Sequence, residues 1–132
     1  MTRIHHVALW TLDLERLKVF YEIYFGGRAG AKYVNAAKKY ESYFVEFDSG
    51  TAIEIMQRPD IQQSRNSIDA QFIGYIHLSF AVGSPGEVDR LTERLTGDGY
   101  RLVDGPRRTG DGYYESVVLD PDGNRVEINA AE

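Results

Sequence analysis

Short runs of alternating apolar and polar residues, each followed by a run at helical spacing, divide the chain into two similar halves. In Ile4 to Trp10, Val7 and Leu9 fall on one face of an expected strand, with His6, Ala8 and Trp10 on the other. Leu14, Leu17, Tyr21 and Tyr24 then recur at helical spacing. Asp13 is the expected N-cap, and Gly26-Gly27 the expected end. Residues 28–41 predict a short strand and an exposed, lysine-rich loop. Glu41 to Met56 predicts a hairpin turning at Ser49-Gly50, with Ile53 and Ile55 on one face of its return strand and Glu54 on the other. Residues 57–74 turn polar and predict a connector.

The second half repeats the order. Ile76, Leu78, Phe80 and Val82 form one face of a strand and His77, Ser79 and Ala81 the other. Ser84-Pro85-Gly86-Glu87 predicts a helix start with a capping box and proline in the first turn, and Val88, Leu91 and Leu95 give the buried stripe. A strand over Arg101 to Val103 is expected, then a glycine- and arginine-rich loop from Gly105 to Gly112. A hairpin from Tyr113 to Leu119 turns through Asp120-Pro121-Asp122-Gly123 and returns to Asn129, placing Val126 and Ile128 opposite Glu127. The expected organisation is one domain, 1–132, made of modules 1–56 and 75–132 with a connector over 57–74.

Composition narrows the chemistry. An apolar share of 42% predicts a folded globular protein, and the net charge of −5 argues against nucleic acid or an anionic membrane as the main partner. No run has the length of a membrane span and the first residues carry no apolar signal core, so the cytoplasm is the expected location. Cysteine is absent, so any metal must be held by nitrogen and oxygen.

Each half marks two such donors at matching places. His6 and Glu54 are 48 positions apart, His77 and Glu127 50, and all four sit opposite the aliphatic face of their strands. A single strand glutamate is usually a solvated surface residue. Two imidazoles and two carboxylates recurring in register are the donor set of a divalent cation such as zinc, nickel, iron or manganese. His5, one position off this alternation, is expected to point toward the helices or the sheet rim. Tyr43, Phe44, Tyr113 and Tyr114 are candidates for lining the site. Arg107 and Arg108 are expected in a solvated loop, with contact to an anionic substrate as the alternative.

At these residues the sequence resembles the vicinal oxygen chelate superfamily, which includes glyoxalase I, ring-cleaving dioxygenases, fosfomycin-resistance proteins and bleomycin-resistance proteins. The resemblance rests on His6-Val7 followed by Asp13-Leu14-Glu15 and Phe20-Tyr21, on Asp120-Pro121-Asp122-Gly123-Asn124, and on Val126-Glu127-Ile128. It implies an α+β fold of two βαβββ modules whose curved mixed sheets surround a metal, often in a homodimer. It also implies His6, Glu54, His77 and Glu127 as ligands of nickel or zinc. This set resembles that of glyoxalase I, a lyase or isomerase that moves a proton through an enediolate, and Glu127 and Glu54 would then be the catalytic carboxylates. Bacterial glyoxalases hold glutathione with an arginine and an asparagine where this chain has Trp10 and Arg58. Those two residues are the expected substrate contacts, to a glutathione adduct or to another small carbonyl compound. The alternatives are a ring-cleaving dioxygenase, a fosfomycin-type thiol transferase and a protein that binds a small drug without chemistry.

Overall fold

The computed structural model describes residues 1–132 and divides into two compact units, Met1–Gln63 and Ser64–Glu132. The first unit runs β1 (His6–Trp10), α1 (Leu14–Phe25), β2 (Arg28–Ala29), β3 (Tyr33–Asn35), β4 (Tyr40–Glu46) and β5 (Ala52–Gln57). Strand β1 pairs parallel with β5, which pairs antiparallel with β4; β2 and β3 both pair with β4. The second unit runs β6 (His77–Ala81), α2 (Pro85–Gly97), β7 (Leu102–Arg108), β8 (Tyr113–Leu119) and β9 (Arg125–Ala131), in the order β6-β9-β8-β7 with β6 and β9 parallel. Both sheets are mixed; the second unit is βαβββ and the first repeats that plan with one additional short strand, so the fold class is α+β.

The caps form as the sequence predicts. The Asp13 side chain accepts from the Arg16 amide, and the chain leaves α1 through Gly26 at a left-handed φ of 67°. Leu14, Leu17, Phe20 and Tyr21 of α1 are buried with Val45, Ile53 and Ile55 of the sheet. Each such burial stabilises by about 1.5–3 kcal/mol relative to exposure. In α2, Ser84 accepts from the Glu87 amide, whereas the Glu87 carboxylate pairs with Arg90 instead of closing the box.

Four local expectations are corrected. The segment 28–41 holds two short strands, because β4 offers a pairing edge to both β2 and β3. Gly105 to Arg108 is the end of β7 rather than loop, since Arg107 and Arg108 pair with Glu115 and Tyr114 across register shifts. Thr92, not Leu91, is buried in the middle of α2. Its hydroxyl donates to the Val88 carbonyl at 2.6 Å and lies 2.7 Å from Ser116 Oγ, so its burial strands no polar atom. Tyr43 and Tyr114 face the helices rather than the site, with their hydroxyls donating to Glu15 and Asp89.

The Tyr43 contact ties α1 to β4 and carries a pH signature. Its hydrogen bond, followed by that of Lys32, holds the Glu15 carboxyl below its ordinary value of 4.5. A carboxylate with a lowered folded-state pKa stabilises the fold above the unfolded value, and that contribution fades as pH falls through the folded value. Tyr43→Phe is therefore expected to lower the melting temperature at pH 7 and to lower it less at pH 3. An equal loss at both pH values would assign the effect to packing alone.

Candidate metal centre

Register places the four predicted donors in two equivalent pairs. In the first unit Ala8 lies opposite Glu54, and in the second Ser79 lies opposite Glu127. The histidine stands two residues earlier on the same strand in each case. Strand alternation therefore puts His6 on one face with Glu54, and His77 on one face with Glu127. In both sheets this face is the one that the helix leaves uncovered.

The second pair is in direct contact. His77 Nε2 lies 3.5 Å from Glu127 Oε2, close to the roughly 3.4 Å expected of two donors about 2.1 Å from one tetrahedral ion. Glu127 is held from behind. Ser79 Oγ donates to its Oε1 at 2.6 Å, and the Asn129 amide donates to Ser79 Oγ. One carboxylate oxygen is thus fixed to the sheet while the other turns toward His77. Glu115 shares this surrounding: burial first, and then the charge of Glu127, push its carboxyl above the usual glutamate value. Arg107, whose Nη2 is 3.8 Å from Glu115 Oε1, opposes that rise. Arg108 pairs with Glu132 and stands over the Tyr114 ring.

In the first unit, His6 meets its neighbour through nitrogen. His5 precedes the strand, so alternation does not govern it, and its Nδ1 comes to 2.8 Å from His6 Nδ1. This corrects the expectation that His5 turns away. It leaves His6 Nε2 as the free donor, with the other ring nitrogen anchored as in most metal-binding histidines. Phe44 lies opposite Glu54 in register and sets its ring edge against His6, 5.2 Å between centroids. At the far end of the same strand, Trp10 carries the Arg58 guanidinium at 5.1 Å from its ring centroid and meets the Tyr40 ring edge-on.

The structure thus gathers the predicted residues as pairs: His77 with Glu127, His6 on a face with Glu54, and Trp10 with Arg58. No group of three or more histidines, aspartates or glutamates has the spacing to hold a metal ion. The donor chemistry of the pairs nevertheless fits a divalent cation, being nitrogen and oxygen without thiolate and with two carboxylates to balance its charge. Sequence reasoning placed Ser79 on the face of His77 without giving it a role, and missed Asn129, Glu115 and Tyr40. Strand parity with Glu127 was the signal that would have placed Asn129 on the donor face; Glu115, on β8, needed the β8–β9 register as well.

The family model described as the Glyoxalase/Bleomycin resistance protein/Dioxygenase superfamily matches residues 3–128. The chain belongs to this superfamily. Among its relatives, the "Uncharacterized protein YqjT" of Bacillus subtilis (strain 168) is 31% identical, over 96% of this chain and 98% of that protein. The trypanothione-dependent glyoxalase I of Leishmania major superposes with a TM-score of 0.77 at 21% identity, covering 97% of this chain and 86% of that one. A glyoxylase/bleomycin resistance protein/dioxygenase domain from Frankia sp. EAN1pec gives 0.81 at 19% identity, covering 100% and 93%. At such identities these two establish the glyoxalase-like fold of this superfamily member. No helix is long and apolar enough to cross a membrane.

Proposed function

We propose that this protein is a metal-dependent lyase or isomerase of the glyoxalase I type, acting on a small carbonyl substrate. The observation that carries the reading is the repetition of one His-and-Glu diagonal at the same register in both sheets. His6, Glu54, His77 and Glu127 are the proposed ligands of a divalent cation, nickel or zinc. A homodimer is the expected assembly.

When bound, the cation supplies Lewis-acid polarisation of the substrate carbonyl, which makes the neighbouring C–H more acidic. The protein residues do the rest. Glu127, fixed through Oε1 by Ser79 and Asn129, takes the proton at Oε2 and returns it to the adjacent carbon. Proton transfer by a positioned group contributes about 10²- to 10⁴-fold. Glu54 stands in the equivalent place in the first unit and shares the catalytic role. Trp10 and Arg58 hold the far end of the substrate, a glutathione hemithioacetal being the first compound to try.

The test is elemental analysis of protein purified without added metal, then hemithioacetal isomerisation with nickel and with zinc. About one ion per chain, lost in His77→Ala, together with metal-dependent turnover, is the expected result. Bound metal without turnover would move the reading to another superfamily chemistry, ring cleavage or thiol transfer. Absence of metal binding would move it to a small-molecule binding protein.

A further inference from the structure

The first unit holds a cleft of about 470 Å³ between the β3–β4 hairpin and the residues after β5, within the size range of small-molecule sites. Tyr40, Asn35 and Lys39 line it from the hairpin, and Arg58 and Pro59 from the other side. One aromatic ring, that of Tyr40, lines it. Tyr40 stands edge-on both to Trp10 and to Tyr33, with centroids 6.2 and 6.1 Å away.

Of the charged side chains that line it, Lys39 and Arg58 are cationic and Glu41 is anionic. Glu41 shares Lys32 with Glu15, each at 3.2 Å, and Asp60 takes only Nε of Arg58, at 2.6 Å. The terminal nitrogens of Arg58 have no protein partner, and its flat group lies against Trp10. Lys39 takes part in no ion pair, and it alone among the non-glycine residues has a positive φ, 53°. Its amide donates to the Ala36 carbonyl to close the turn, a place glycine occupies without steric cost and lysine does not. A costly conformation that brings an unpaired cation to the wall of a cleft is a feature to be explained by what the cleft holds.

We infer that this cleft binds a flat, conjugated anion, an aromatic carboxylate in the simplest case, with the ring against Tyr40 and the charge between Lys39 and Arg58. A ring suits the Tyr40 wall, and a guanidinium with both terminal nitrogens free suits a carboxylate. The inference deepens the proposed function and rests on it in one respect. Trp10 is four residues along β1 from His6, on the same face and roughly 13 Å away at strand spacing. The substrate would then be an elongated molecule, with oxygens for the metal at one end and an aryl anion at the other.

The test is calorimetric titration of the metal-stripped full chain with 2-naphthoate, its neutral amide 2-naphthamide, and glutathione. Naphthoate is expected to bind at least tenfold more tightly than either of the others. Lys39→Gly is expected to raise the melting temperature, since glycine relieves the turn, and to weaken naphthoate binding at least fivefold. A folded, stabilised variant that binds as well as the wild type would overturn the inference, as would equal binding of the amide or of glutathione. Because no metal is present, the two readings fail separately. Naphthoate binding without any metal-dependent turnover removes the proposed function alone, and hemithioacetal turnover without naphthoate binding removes the cleft alone.

Discussion

Glu127→Gln is expected to lower turnover by about 10²- to 10⁴-fold while the protein keeps most of its metal. The glutamine amide has the shape of the carboxylate and still offers an oxygen to the Ser79 hydroxyl, so the Asn129–Ser79 support survives the change. The lost property is the capacity to accept a proton. The substitution also removes the charge that helps raise the Glu115 carboxyl, so the fold should not be weakened by it. The measurements are kcat, KM, metal content and melting temperature. A fall in kcat with KM, metal and melting temperature preserved identifies the carboxylate as the base. Retained activity would remove Glu127 from that role, whereas a parallel loss of metal would make it chiefly a ligand. Glu54→Gln is the parallel test of the shared role, because Glu54 occupies the same register position without a serine opposite it; Ala8 stands there.

The duplication was legible because both copies use local signals. Strand alternation fixed the faces of His6, Glu54, His77 and Glu127, and Asp13 and Ser84 marked the helix starts through caps that need only a neighbouring amide. What escaped depended on pairing partners distant in sequence. Tyr33–Asn35 is a strand only because Tyr40–Ser42 lies beside it, and Gly105–Arg108 reads as loop until β8 supplies its ladder. Thr92 has the polarity of a surface residue, and only the Val88 carbonyl and Ser116 make its burial tolerable. At the candidate site, the face of each donor could be read but not the support behind Glu127. The Lys39 conformation was hidden for a related reason: a left-handed turn is announced by glycine or asparagine, and here the residue is lysine.

The extension of β7 also locates the substitution expected to harm stability most among the glycines. Gly105 has a φ of 77°, and a Cβ there would lie 2.4 Å from the Glu115 carbonyl oxygen and 3.1 Å from Ser116 Cα. Both neighbours are backbone atoms of β8 and cannot swing aside as a side chain would. Gly105→Ala combines the left-handed cost of roughly 1–2 kcal/mol with overpacking of about 1–3 kcal/mol. The result is a substantial part of the roughly 5–15 kcal/mol that holds a domain folded. Gly123→Ala separates the two contributions, because its φ of 84° is similar while nothing lies within 4 Å of its Cβ. Denaturant unfolding should show a loss for Gly105→Ala about twice that of Gly123→Ala or more. The strands would have to part at Glu115, whose carboxyl faces Glu127, so the alanine is also expected to disturb the donor pair of the second unit. Equal losses for the two variants would mean that β8 yields freely at this point, and the close approach of β7 would then not be what holds Glu115 in place.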